Sequence, residues 1–359
     1  MVMTQQRNGV RKQADDRMPM PTPRGPMSAE LIAAWTRRSP TAVSPGQIAH
    51  ARAWARSLSP ESVVGDDDLQ LALYACYELH YTGVRGVDDR WEWESSLLAF
   101  RTVLEDAFEA GLRRLVPAPD PKPARIERAL AVITGRPGGA LSTFLERDAE
   151  PRHAEEFLMH RSAYNLKEAD PHTWVIPRLR GDAKAALVEI QADEYGGGNP
   201  AWVHATLFAA SMRAAGLDDA PGAYVDALPG TTLATVNLMS LFGLHRRLRG
   251  AAMGHLAAFE MTSCAPNRRY GNGLRRLGAS EAATAYFDEH VEADAVHGTV
   301  AARDVAGALV RDDPTLDREV RFGAEALLAL EDRAGRWLLD AWKRGESSLI
   351  APGTTRARS

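Results

Sequence analysis

The octapeptide HVEADAVH carries the densest chemistry in the chain, because His290, Asp294 and His297 stand at i, i+4 and i+7. At about 100° per residue, the second and third fall roughly 40° and 20° to either side of the first, so all three leave one stripe of a helix. Two imidazoles and a carboxylate on one face suit iron, manganese or zinc, whereas calcium or magnesium would prefer oxygen alone. The plainer reading is a helix salt link between Asp294 and either histidine on a solvated face.

A metal site in a helical bundle needs further donors on facing helices. Glu260, in HLAAFEMTSC, stands among Ala257, Phe259 and Met261, where a carboxylate must be protonated, paired or bound to a cation. The segment VEIQADEYGGGNPAWVHATLF adds Glu189, Asp193, Glu194 and His204. Its glycine triplet and Pro200 fall between acid and histidine and predict a break or bulge in the helix, a feature frequent at functional sites. Taken singly, Glu194 and Glu260 could be surface charge and His204 a core histidine bonded to a carbonyl. Together the chain presents acid, histidine, acid and then His-Asp-His on three successive helices. Three imidazoles and three carboxylates can hold two irons with positions open for dioxygen.

With these residues in view, the sequence resembles the heme-oxygenase-like diiron oxidase and oxygenase superfamily, often labelled iron-containing redox enzymes, over about residues 150 to 342. The resemblance lies in EIQADEYGGGNPAWVHATLF for the first core helix, the acid Glu260 in the second and HVEADAVH in the third. It implies metal ligands Glu194, His204, Glu260, His290, Asp294 and His297, two iron ions cycling between Fe(II) and Fe(III), and O2 as co-substrate. Some members carry a further Glu three residues before the first-helix histidine, and here that position is Ala201. The chain then relies on Glu194, with Glu189 and Asp193 in reserve. The reactions implied are N-oxygenation, desaturation and C–C cleavage of small molecules. No catalytic group beyond the ligands is assigned, and substrate choice falls to residues outside that set.

Positioning such donors calls for helices. Apolar residues recur at helical spacing nearly throughout, alternating β-branched runs are scarce, and no sheet is predicted. The fold expected is all-α, a heme-oxygenase-like helical bundle with additional N-terminal helices. Helices are predicted over roughly 124–134, 139–147, 151–163, 178–195, 201–215, 231–245, 248–265, 280–298 and 315–342. Before them, Asp66, Asp67 and Asp68 open a buried helix, and Leu97 to Leu112 form a long amphipathic one. The proline-rich run at 117–123 marks an internal boundary. The divisions expected are a disordered leader over 1–27, an N-terminal helical region over 28–120, the metal-binding bundle over 121–345 and a loose tail over 346–359. The N-terminal helices either form a subdomain of their own or pack on the same bundle.

Bulk properties agree with small-molecule chemistry. The 359 residues are 45% hydrophobic and 25% charged with a net charge of -4, which offers no positive field for nucleic acid or an anionic membrane. Cys76 and Cys264 stand far apart without CxxC spacing and read as packed thiols in a reducing compartment, so a cytoplasmic protein without membrane spans is expected. A small-molecule substrate is the partner expected, with an external electron donor and a homodimer left open. The polar stretch HRSAYNLKEADPHTWVIPRL, with His160, Arg161, Tyr164, Lys167, Glu168, His172 and Trp174, reads first as an inter-helix turn and second as part of a pocket. Glu78 and His80 could form a second polar site, with a buried, paired histidine the better reading, and Trp91 and Trp93 read as packing. The rival readings are a haem-binding protein on the same fold and a metal-free helical binding protein.

Overall fold

The computed structural model describes residues 16–36, 42–117 and 125–351. Among them there is no strand, only an isolated bridge between Met18 and Val84. The longer helices are α1 (Pro26–Trp35), α2 (Pro45–Ser57), α3 (Asp67–Glu78), α4 (Ser95–Leu115), α5 (Ile126–Thr134), α6 (Ala140–Arg147) and α7 (Pro151–Asn165). They continue with α8 (Gly181–Glu194), α9 (His204–Ala214), α10 (Gly230–Leu244), α11 (Arg249–Arg276), α12 (Glu281–Val300) and α13 (Asp317–Lys343). The all-α expectation therefore holds. No helix of the described residues is long and apolar enough to cross a membrane.

The three aspartates at the start of α3 divide their work. Asp66 accepts from the Asp68 and Leu69 amides and caps its own helix. Asp67 accepts from the Gly230 amide at the start of α10, and Asp68 from the Met27 and Ser28 amides of α1. Three helix N-termini thus gather their orphan donors on one acidic triplet, where the helix dipoles also favour negative charge. This ties the N-terminal helices to the bundle. One continuous apolar core includes Leu69, Phe100 and Phe108 from the N-terminal side and Phe242, Met253 and Val320 from the bundle. The N-terminal helices are layers on the same bundle.

Helix α11 is its spine and packs on α12 and α13. It approaches α13 so closely that a Cβ at Gly254 would meet the Val320 carbonyl oxygen and one at Gly323 that of Ala251, both under 2 Å away. Two reciprocal glycines fix this crossing. The helix expected over 248–265 runs on through Pro266 to Arg276. Likewise the one expected to end at 298 passes from α12 into a π-helical stretch, Ala301–Gly307, and a further turn, Ala308–Asp312. Gly298 lies inside α12 and does not interrupt it.

The described part of the expected leader, 16–27, is not loose: Met18 is fully buried and Arg24 donates to the Val225 carbonyl. The described start of the expected tail also packs, with Ser348 buried against Glu156 and His160. Most of the proline-rich boundary lies outside the described residues. Trp91 is a core residue as read, but Trp93 is 62% exposed and meets only the edge of His80.

Candidate metal centre

Each element delivers its donor by a different device. Helix α8 ends on Glu194, and Gly196, Gly197 and Gly198 follow at φ 75°, 56° and 88°, left-handed values that glycine adopts without strain. A Cβ at Gly196 would lie 2.7 Å from the Val203 amide nitrogen, so the loop folds tightly on itself. The Asn199 side chain accepts from the Ala201 amide, and the chain re-enters helix at His204, the first residue of α9. The predicted break is thus a reversal that returns His204 to Glu194, with Nδ1 2.8 Å from the carboxylate. Glu260 projects from the middle of α11, and His290, Asp294 and His297 from one face of α12; all are buried.

The sequence reading missed one donor. Glu168 lies in the turn after α7, fully inside the protein at 4% exposure, in the stretch first taken for an inter-helix connection. Its carboxylate accepts from the Tyr286 hydroxyl at 2.6 Å and lies 3.4 Å from His290 Nε2. The next residue, Ala169, is the one non-glycine residue with positive φ among those described, at 74°. Gln191 donates to its carbonyl at 2.9 Å, and that bond helps hold the strained turn. Ala201, where a further carboxylate was expected, is exposed in a short 3-10 turn. A glutamate there would face solvent, and Glu168 fills the inner position instead.

The donors fall into two groups that share Glu194: Glu168, Glu194, His204 and His290, and Glu194, Glu260 and His297. Within each group the ligand atoms lie within 4.8 Å of one another, close to the span of donors about 2.1 Å from a common ion. Asp294 belongs to neither close group. It lines the same enclosed cavity, beside Glu260 and His290.

Hydrogen bonding around the imidazoles points their lone pairs inward. His290 donates through Nδ1 to the Tyr286 carbonyl at 2.8 Å, and His297 through Nε2 to Asp193 at 3.1 Å, bonds that fix ring orientation as outer partners of metal-bound histidines do. The inner nitrogens, His290 Nε2, His297 Nδ1 and His204 Nδ1, are buried and make no well-aligned hydrogen bond, although each faces a carboxylate, and Asp294 Oδ2 likewise has no hydrogen bond. Buried polar atoms without such bonds are costly, and four in one cluster call for a cation. Among the described residues no lysine or arginine lines that space.

Without a cation the cluster is electrostatically strained. Burial opposes an imidazolium at His290, but Glu168 more than offsets it, with Glu194 and Asp294, and raises its pKa to about 10. His297 is raised to about 9 against burial by Glu260, Asp193 and Glu194. Burial and the neighbouring Glu260 push Asp294 up to about 7, and burial also raises Glu260. Four carboxylates here match the charge of two divalent ions. The enclosed space is about 10 Å³, roughly room for one water molecule. That admits an ion between the donors and leaves no slot for a porphyrin, whose pockets run to roughly several hundred Å³.

The other polar candidates have structural partners. His160 bridges Thr232 and Ser348, and burial depresses its pKa to about 3. Arg161 pairs with Glu331, and Lys167 with Glu78. His172 bonds His255 at 3.2 Å, and both His172 and Tyr164 line the cavity. His80 is a buried, paired histidine as read, joined to Glu92 and Arg101. Glu189 is exposed, and Asp193 acts on His297 from outside. Cys76 is inert, its thiol pushed up to about 12 by burial.

The donors can now be set beside known proteins. Residues 155–332 match the family model described as iron-containing redox enzyme. The chain is also similar to a nitrosourea synthase of Streptomyces achromogenes subsp. streptozoticus, 27% identical over 159 residues, which is 44% of this chain and 34% of that protein. It therefore spans about a third of the length of the curated relative it matches. The segment 155–332, which carries every one of these donors, belongs to the iron-containing redox enzyme family and has its heme-oxygenase-like all-α fold.

Proposed function

We propose that the chain is a non-haem diiron oxidase or oxygenase acting on a small molecule, with O2 as co-substrate and an external donor supplying electrons. The observation that carries this reading is the clustering of three buried imidazoles with four buried carboxylates, beside a space that no lysine or arginine lines among the described residues. Imidazole with carboxylate is the donor set of iron rather than of calcium or magnesium. A pair of ferrous ions supplies the electrons and open coordination positions with which dioxygen is reduced. The ligands proposed are Glu168, Glu194, His204 and His290 on one side, and Glu194, Glu260, Asp294 and His297 on the other, with Glu194 between them.

The protein's own part is to hold and to exclude. Tyr286 fixes Glu168 by its hydroxyl and His290 by its carbonyl, so a single residue orients two donors. Leu256, Phe259 and Tyr164 wall the enclosed space and keep bulk water from it. Among the family's reaction types, oxidation at nitrogen stands first, because the curated relative is a nitrosourea synthase. Oxygen uptake by Fe(II)-loaded protein, with zinc-loaded protein as control, tests the reading. Uptake should require iron and be lost in His290→Ala and Glu260→Ala, and equal uptake in these variants would contradict it.

A further inference from the structure

Glu260 and Asp294 face two spaces. On their outer side they line a groove of about 800 Å³ that opens to solvent. Four arginines stand around it, and they are not equivalent. Arg303 pairs with Asp304 at 2.9 Å and Arg311 with Glu127 at 3.2 Å, so their charges are balanced within the wall. Arg125, just before α5, and Arg128, in its first turn, are exposed and have no ion pair among the described residues. Met261, Cys264 and Ala302, which carry no charge, line it together with these arginines and the two carboxylates.

The lining of the groove therefore offers both signs of charge. A ligand filling it can meet two guanidinium groups without an ion pair among the described residues, planar donors whose geometry suits carboxylate and phosphate. Against Glu260 and Asp294 an uncharged or basic group is better placed than a second anion. Two arginines alone would be ordinary solvated surface. What sets them apart is that residues of the proposed metal centre line the same groove.

We propose that this groove is the substrate site, and that it takes a small molecule with an anionic group, carboxylate or phosphate, on Arg125 and Arg128 and an uncharged or basic group toward Glu260 and Asp294. The assignment rests on the diiron reading for its catalytic meaning, but not for its binding chemistry.

Calorimetric titration of the metal-free and the anaerobic Fe(II)-loaded chain with hexanoate, hexyl phosphate and hexan-1-ol tests it. These probes share one alkyl chain and differ in the head group. At least one anion should bind about tenfold or more tighter than the alcohol, as expected for charge-assisted hydrogen bonds. The better anion identifies the head group. Arg125→Ala and Arg128→Ala should each cut that advantage about tenfold, the double variant should remove it, and Arg128→Lys should keep part of it. Both side chains are exposed, so an unchanged thermal midpoint will show that the fold is intact. Anions that bind no better than hexan-1-ol, or an advantage that survives in the double variant, would overturn the proposal. Iron counted on the same samples judges the metal reading separately.

Discussion

The two halves of the candidate centre are built to different standards. Glu168, Glu194, His204 and His290 form the inner half: all are buried, and Tyr286, itself bonded by Asn165, fixes two of the four. In the outer half, His297 is oriented by Asp193, whose side chain is 61% exposed, while Glu260 and Asp294 line the open groove. The π-helical stretch begins shortly after His297. Rigid donors favour retention of an ion, and accessible ones favour exchange and contact with ligand. The inner half should fill first and the outer half should respond to what enters the groove.

Glu194 tests whether the halves are joined. Glu194→Ala removes the donor common to both and should take bound iron from two per chain to below one, measured by metal analysis after anaerobic loading. Loss of one ion only would break the picture of a shared carboxylate.

The next largest effect lies outside the ligand set. Lys167, adjacent in sequence to Glu168, is buried, pairs with Glu78 of α3 and lies over the Tyr74 and Tyr81 rings. Glu78→Gln leaves that ammonium buried without its counter-charge and should cost about 3–5 kcal/mol of stability in denaturant unfolding. Because the pair ties the Glu168 turn to the N-terminal helices, the inner ion should weaken more than the outer one. Equal loss at both would remove the distinction between the halves.

Tyr286→Phe should sharpen it. Loss of the hydroxyl frees Glu168 and should weaken the inner ion by about 10–100-fold, the range for partners that orient metal ligands. Asp193→Asn, on the exposed side of His297, should weaken the outer ion by less. Competition with a chelator, followed for each ion, reads both.

pH gives a separate test of the metal-free centre. The folded pKa values of about 10 for His290, about 9 for His297 and about 7 for Asp294 all lie above their unfolded values, about 6.5 for histidine and about 3.9 for aspartate. The metal-free fold thus holds extra protons. Their stabilisation is fully present below the unfolded pKa values and is lost as pH rises through the folded ones. The share of Asp294 is lost between about pH 3.9 and about pH 7 and that of the two histidines between about pH 6.5 and about pH 10, so the thermal midpoint of metal-free protein should fall through this second window. Iron-loaded protein, whose ligands are already deprotonated, should show less of that fall.

Legibility from sequence followed the same division. His290, Asp294 and His297 could be read because one helix face makes their spacing a geometric statement. The reversal between Glu194 and His204 was visible through its glycines and proline. Glu168 was not, because a turn closed by a left-handed alanine presents it, and alanine carries no mark of that conformation. Nor could spacing show that Asp294, on the same stripe as the histidines, would fall outside both close groups. The all-α class followed from periodicity, whereas the packed segments 16–27 and 346–350 did not, since their burial depends on distant partners such as Val225 and Glu156.

The most direct measurement is anaerobic Fe(II) loading followed by Mössbauer spectroscopy of the intact chain. Two irons per chain should bind, giving two distinct ferrous environments, with one of them lost first on chelation. A plateau at one iron or none, or a single environment unaffected by Tyr286→Phe, would contradict a two-ion centre with unequal halves.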